Sequence, residues 1–509
     1  MKNQRATLLC LPLVLGHFQA MRTLAAPLLN DGSENIAPDV FDAVPRPPGV
    51  LLPENREDLF FKPLQPADPS DAFYVRPIPP VEDFAVTFKV KPVVEPVAPV
   101  EPVPTPLESK AASQRFWEAA IPSGGSPGSG GGPFSGQGGL SEYADYAELA
   151  RHSQMQHRGP VYYALKLSAG TVYDDNISLG SAVRRRDFQS SIVPAARVQL
   201  GSDDSALRLG ASYTGAVSWF ARYPSQHTFE QSIGLDGGWS GSRLKTGFRL
   251  GTQSTQSSSP DAGERVGHRA NYLGVTFSYP FTGKVSGELS GDTTQSQFDG
   301  LVGSHENRVQ EFLTYEWSPK LQLGLGSTQG TLQADGGNRQ TYNQALVRVV
   351  AQPSAKLGWS ASFGNEWRHF ESGEPSSQTP VFTAGANWQV TGRTSLSLDG
   401  SRRTFASASL KGQNYEATTV ALSAREMLTS TVDGSVSLGY GQANYHAAAQ
   451  GVQANREDEY YYGRLSLNWL ISRKCSLGWF YEYNKNLSSG DQGHPFQRNR
   501  IGVAFNVSF

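Results

Sequence analysis

The sequence predicts an all-β protein, a transmembrane antiparallel up-and-down β-barrel of about 18 strands. Three observations support this fold class. Apolar and polar residues alternate along segments of about ten residues between Val161 and Phe509, short and long polar connections alternate between those segments, and large aromatic residues fall near both segment ends. An even number of strands places both ends of the barrel chain on the side of the short turns.

The two-residue period is the first observation, and the first predicted strand shows it. Leu165, Leu167 and Ala169 fall on one face of an extended chain, whereas Lys166 and Ser168 fall on the other. One apolar face and one polar face indicate a strand that lies between lipid and water. Because only one face of each strand needs to be apolar, a hydrophobic content of 38% is enough for such a wall.

The connections between strands are the second observation. Turn-forming residues occupy the short links, as in 240–242 and 391–393. We expect longer polar loops on the other side of the barrel, at residues 175–185, 255–267, 295–306, 334–340, 371–378, 447–458 and 487–497. Short turns at one end and longer loops at the other are typical of bacterial outer-membrane barrels.

The aromatic residues on the apolar face are the third observation, because they sort into two belts. The belt near the short turns comprises Trp239, Tyr279, Trp317, Trp359, Trp388, Trp469 and Phe509. The belt near the longer loops comprises Trp219, Phe229, Trp367, Phe382, Tyr461 and Tyr483. Paired aromatic girdles indicate a barrel in a bilayer, whereas a soluble β-sandwich would bury such residues in mid-strand.

The segment before the barrel has a different composition. Lys2 and Arg5 precede an apolar run, and residues 1–25 have the pattern of a secretory signal peptide; a short anchor or core helix is the alternative. Residues 26–159 are rich in Pro and Gly and predict a largely disordered periplasmic spacer. Residues 160–509 then form the outer-membrane barrel domain.

The sequence offers no convergent catalytic chemistry, so we expect a protein that is not an enzyme. The His residues are scattered, and the chain lacks the HExxH, GxSxG and P-loop spacings. We therefore predict no catalytic residues, no metal site and no cofactor. A net charge of −2 also argues against a nucleic acid as partner.

Two short motifs carry a family resemblance. The first predicted strand ends in Tyr173-Asp174-Asp175-Asn176, which resembles a motif of the putative β-barrel porin 2 family. The chain ends in an alternating strand with Phe505, Val507 and the terminal Phe509, which resembles the signal read by the outer-membrane assembly machinery. The resemblance implies an outer-membrane pore. The motif carboxylates are expected to bind turn backbone groups; cation binding is the alternative.

The polar face of the predicted strands supplies candidates for the lining of a lumen. They are Lys166, Arg197, Arg208, Lys245, Arg249, Glu288, Glu366, Arg368 and Glu482. A barrel of about 18 strands is wide enough to hold water, and such charges select solutes by sign. For any one residue, the alternative role is to cross-link the wall.

These features predict a porin-like channel in the cell outer membrane of a Gram-negative bacterium, passing small polar solutes or sugars. The alternative is the outer-membrane component of an exopolysaccharide export system, in which the N-terminal segment contacts periplasmic or cell-wall partners. A structural or adhesive barrel is a third possibility. The expected partners are outer-membrane lipid and the assembly machinery.

Overall fold

The structure, a computed structural model, describes residues 156–509 with the exception of 203–204, 337–338 and 491. The predicted signal peptide and almost all of the predicted spacer lie outside the described residues. Within the described part of the chain, no helix is long and apolar enough to cross a bilayer.

Antiparallel strands make up nearly all of the described chain. They are β1 (Gln156–Arg158), β2 (Val161–Asp174), β3 (Asp187–Leu200), β4 (Leu207–Phe220), β5 (Thr228–Ser240), β6 (Lys245–Ser259), β7 (Glu264–Pro280), β8 (Val285–Phe298), β9 (Ser304–Ser318), β10 (Leu321–Ala334), β11 (Arg339–Ser354), β12 (Leu357–Phe370), β13 (Ser377–Gln389), β14 (Thr394–Ala406), β15 (Gln413–Met427), β16 (Val432–Ala447), β17 (Glu457–Ser472), β18 (Cys475–Ser489) and β19 (Phe496–Ser508). Among the described residues, one 3-10 turn, Pro224–Gln226, lies between β4 and β5.

Pairing between the last and the first long strand closes the sheet. Strands β2 to β19 each pair with their sequence neighbours, and β19 pairs with β2 from Ser508↔Lys166 to Arg500↔Asp174. The described residues therefore form an 18-strand closed barrel, which confirms the predicted fold class. The short β1 folds back on β2 and pairs with its first residues, as in Arg158↔Val161. Closure satisfies backbone groups that lipid cannot hydrogen-bond.

The two faces of the wall differ as the two-residue period predicts. Large apolar side chains such as Leu325 and Trp317 point outward and are 66% and 65% exposed. Residues opposite each other in an antiparallel pair share a face, so the register extends this assignment around the ring. This apolar face is exposed on the isolated barrel, and lipid covers it in the membrane.

The rim that holds the short turns and both ends of the barrel chain is called the inner rim, and the opposite one the outer rim. Connections at the inner rim are as short as residues 319–320 and 355–356. Most outer-rim loops are shorter than predicted, although the connection at 175–186 matches its prediction. The predicted loop 255–267 is wrong, because β6 and β7 continue to a turn at 260–263. Strand pairing at the outer rim extends beyond the lipid. The alternation of apolar and polar residues stops earlier, because only strand positions that contact lipid need an apolar side chain.

Both predicted aromatic belts lie on the outward face. Trp239, Trp388 and Trp469 are exposed close to the inner rim, while Trp219 and Trp367 are exposed close to the outer rim. These girdles mark the two levels at which lipid headgroups meet the wall. Between them lies the hydrocarbon-facing band of the barrel.

Candidate functional site

The inward face of the barrel is the candidate functional site. All of the predicted lumen residues lie on this face: Lys166, Arg197, Arg208, Lys245, Arg249, Glu288, Glu366, Arg368 and Glu482. The strand register brings several of these residues close together. Lys166 lies opposite Ala195, which is two residues from Arg197, and Ser278 lies opposite Lys245 on one neighbouring strand and opposite Glu288 on the other. Their contribution to solute passage is a separate matter from this placement.

Ion pairs connect the inward residues of β3 to β11 into a charged wall. Asp292 lies between two guanidinium groups, 3.1 Å from Arg249 and 3.2 Å from Arg308. Arg348 is 2.6 Å from Glu288 and its guanidinium also lies 3.4 Å from the ring centroid of Phe312. This wall carries both signs of charge, each held close to the other, so its cations are largely compensated.

Small hydroxyl side chains line the opposite wall, on β14 to β17. Hydroxyl oxygens of adjacent strands lie 2.9 Å apart at Ser401 and Thr419 and 3.0 Å apart at Ser423 and Ser437. Short hydroxyl side chains leave room and offer both hydrogen-bond donors and acceptors. The lumen therefore has one side dominated by ion pairs and an opposite side richer in hydroxyl groups, on which Arg425 and Asp433 also form an ion pair at 3.0 Å.

A buried network of charges fastens the closing strands. Arg498 donates to the Asp174 carboxylate through Nε at 2.8 Å and through Nη2, and both residues are almost completely buried. Glu482 accepts from Arg500 at 3.3 Å and from Arg464 at 3.0 Å. Burial makes these pairs strong structural constraints, because removal of one partner leaves an uncompensated charge.

The rest of the motif binds backbone groups near the outer rim, as the turn interpretation predicts. Asp174 accepts from the Asn176 amide at 2.9 Å, and Asp175 accepts from the Asn499 amide at 2.6 Å. The Asn176 side chain donates to the Gly180 and Gln497 carbonyls at 2.9 and 3.0 Å. No group of residues in the described ranges could hold a metal ion.

Loops from separate parts of the ring meet over the outer end of the lumen. The β14–β15 connection, residues 407–412, is their meeting point. Leu179 of the β2–β3 connection packs in one buried cluster with Leu410, Tyr415 and Phe496. The Val302 amide of the β8–β9 connection donates to the Ala408 carbonyl at 2.8 Å.

Asp261, at the tip of the β6–β7 hairpin, makes the densest of these contacts. Its carboxylate accepts from the amides of Ala408 at 2.7 Å and Ser409 at 3.2 Å, and from the Tyr445 hydroxyl at 2.8 Å. Arg456 donates to the backbone carbonyl of Asp261 at 2.9 Å. Strands β6 and β7 lie almost across the ring from β15, so this hairpin reaches over the lumen.

The loop histidine His494 also lies under this cover. Burial, together with the nearby Arg456 guanidinium, lowers the pKa of His494 below its usual value. The loop turn at Gly263 passes directly beside the His494 ring. A cationic imidazole is therefore disfavoured in the covered mouth.

The outer end of β14 separates from β13, and the outer ends of β14 and β15 bend inward while β15 stays paired with β16. Asn414 exchanges two hydrogen bonds with Gln340 of β11, at 3.1 and 2.7 Å, although three strands separate β15 from β11. Arg403 lies 3.2 Å from Glu306 of β9. Such distant partners can meet only inside the lumen. Asn414 is fully buried there.

Two of the predicted lumen residues belong to this inward cluster. Arg368 donates to Glu366 at 2.9 Å and to Gln340 at 2.9 Å. Sequence reasoning missed Gln340, which binds Arg368, and Asn414, which binds Gln340. It missed Asp261 as well, because each lies far along the chain from the residues it binds. The polar character of these positions is visible in the sequence, but their pairing is not.

Several solved structures are similar to this chain. Pseudomonas aeruginosa OccK2 (OpdF) has a TM-score of 0.39 and 11% identity, with 68% of this chain and 98% of that chain covered. Pseudomonas aeruginosa OpdK has a TM-score of 0.37, 12% identity and coverages of 68% and 99%. Acinetobacter baumannii OccAB3 has a TM-score of 0.37, 10% identity and coverages of 68% and 99%. No curated protein sequence matches the chain.

The family comparison agrees with the resemblance drawn from the sequence. Residues 361–509 match the model of the family described as Putative beta-barrel porin 2. The motif at 173–176 lies before the matched residues, which cover β13 to β19 and most of β12. The match and the closed barrel agree with the fold of an outer-membrane porin. The chain is thus a porin-like outer-membrane β-barrel, with residues 361–509 matching the putative β-barrel porin 2 family.

Proposed function

We propose that this barrel is a passive outer-membrane channel for small polar solutes, sugars among them. The observation that carries the proposal is the two-sided lumen. Compensated ion pairs such as Arg249 with Asp292 occupy one side, and hydroxyl pairs such as Ser423 with Ser437 occupy the other. A wall of this kind hydrogen-bonds neutral polar molecules without holding an ion tightly, since the charges neutralise each other locally.

Solute flux into proteoliposomes tests this proposal. We expect purified full-length barrel to admit small neutral sugars, with a rate that falls as the sugar becomes larger. Liposomes without protein are the control for leakage. Absence of both sugar flux and ion conductance, for protein shown to be folded by its heat-dependent shift in electrophoretic mobility, would contradict the channel function.

The remaining proposals concern the chain ends. We propose that residues 1–25 are removed, that 26–159 form a periplasmic spacer, and that Phe505, Val507 and Phe509 on the outward face of β19 are read during assembly. Deletion of Phe509 should then lower the amount of folded barrel in the outer membrane, whereas Phe229→Ala at the outer rim should not. The export alternative rests on 26–159 and gains no support from the described barrel.

A further inference from the structure

We infer that the outer ends of β14 and β15 form a movable gate, which closes the channel in the position described above. This inference rests on the proposed channel function and concerns its regulation. Three features support it: an open seam in the barrel wall, polar contacts that hold the hairpin inside the lumen, and an unused strand edge to which the hairpin can return.

The seam lies between β13 and β14. Their pairing ends at Phe382↔Arg402, although β13 begins at Ser377 and β14 continues to Ala406. On their other sides both strands remain paired to these ends, as in Arg368↔Ser377 and Ala406↔Asn414. The wall is therefore complete below Phe382 and divided above it.

The position of the seam fits the membrane. Phe382 belongs to the outer aromatic belt, so the divided part of the wall lies at or above the lipid headgroups. Unpaired backbone groups are tolerated there because water can hydrogen-bond them, whereas the hydrocarbon layer would not permit it. A hinge at this level can move without exposing polar backbone to lipid.

Polar contacts hold the hairpin in the inward position. Asn414 binds Gln340, and Glu416 accepts a hydrogen bond of 2.7 Å from Thr379 on the inner wall. Within the hairpin itself, Glu416 also pairs with Arg402, at 2.5 Å. Hydrogen bonds of this type exchange with water at small net cost, whereas the contacts of Leu410 and Tyr415 with Leu179 and Phe496 must separate when the hairpin moves.

The strand edge of β13 offers a second position. Continuing the register beyond Phe382↔Arg402 places Gln378 opposite Ala406 and Val381 opposite Arg403. An uncovered edge of this kind can accept another strand, although Pro380 donates no hydrogen bond to it. When the hairpin pairs with it, the contacts to Gln340 and Glu306 must break, and the β14–β15 connection leaves the centre of the mouth.

A disulfide across the seam tests the gate. The double variant is Gln378→Cys/Ala406→Cys. These two residues become direct neighbours only when the hairpin has moved outward and β14 pairs with the edge of β13, because opposite Cβ atoms in such a pair lie about 5 Å apart. The matched control is Ala384→Cys/Gly400→Cys, a pair on the lipid-facing side of the wall that is already opposite below the seam. Wild-type protein under the same oxidant controls for the native Cys475. Single-channel recording in planar bilayers follows each protein before oxidation, after it and after reduction.

We expect oxidation of the seam pair to raise the open probability by at least about tenfold and reduction to reverse the change, while the control pair cross-links without effect. A seam disulfide that forms without changing the open probability overturns the gate. Failure of the seam pair to cross-link where the control pair does so also overturns it. Absence of conductance in every form contradicts the channel function itself, a result distinct from a channel that conducts equally before and after oxidation.

Discussion

The Asp261 carboxylate gives a direct test of how the outer mouth is held closed. Asp261→Asn keeps the size of the side chain, but it replaces one acceptor oxygen by an amide that cannot accept a hydrogen bond. The amides of Ala408 and Ser409 and the hydroxyl of Tyr445 all donate to this carboxylate. The substitution therefore weakens the attachment of the β6–β7 hairpin to the β14–β15 connection.

The size of the effect follows from these contacts. Hydrogen bonds to a charged group contribute about 1.5 to 3 kcal/mol each, and donors released at the mouth regain water. Allowing for that recovery, we expect the closed state to lose about 3 kcal/mol relative to the open state. At about 1.4 kcal/mol for each factor of ten, the ratio of open to closed channels should rise about 150-fold.

Single-channel open probability in planar bilayers measures this ratio. Glu374→Gln, which removes a carboxylate from the β12–β13 connection at the same rim, is the matched control and should behave as wild type. Both proteins must show the heat-dependent mobility of a folded barrel. An open probability for Asp261→Asn within about threefold of wild type would refute the reasoning, since that corresponds to under 1 kcal/mol.

Three further predictions concern the wall and the lumen. Asp174→Asn leaves the buried Arg498 charge without its carboxylate and should lower the free energy of unfolding by about 3 to 5 kcal/mol in denaturant titrations from lipid vesicles. Leu398→Arg puts a cation on the lipid face at mid-height and should cost about 2 to 4 kcal/mol in the same titration. Asp292→Asn removes a lumen anion between Arg249 and Arg308, so the reversal potential in a salt gradient should shift toward anion selectivity.

Each of these predictions has an internal comparison. Asp433→Asn breaks the more exposed pair with Arg425 and should cost under about 1 kcal/mol, so equal losses for both variants would rule out a special role of burial. Ser397→Arg, one residue from Leu398 but on the lumen face, should be nearly neutral. An unchanged reversal potential in Asp292→Asn would place the ion path away from the charged wall.

Local periodicity explains why the wall was predictable from the sequence. The face of Leu165 or Lys166 depends only on its own strand, and the position of Trp317 or Trp388 depends on the distance to the next turn. The number of strands follows from repeating that pattern. The comparison over residues 361–509 supports the same fold through an independent route.

The loop contacts over the outer mouth could not be predicted in this way, because they join residues that are distant in the chain. Asn414 looks like any residue on the outward face of a strand, and only the inward bend of β15 turns it toward Gln340. Asp261 lies in a segment whose polarity predicts a loop, whereas pairing of β6 with β7 continues to its edge. Above the lipid both faces of a strand are polar, so the sequence pattern does not distinguish a strand from a loop, or an outward side chain from an inward one.

Closure of the barrel by β19 and β2 also determines when folding can finish. The partner of the first long strand is the last strand of the barrel in chain order, because Arg500 opposes Asp174 across almost the whole barrel sequence. Pairing between such distant segments is intrinsically slow, since the chain must close a long loop first. Until Phe496–Ser508 arrives, β2 and every intermediate sheet present a free edge, so the chain must be protected from self-association throughout its export.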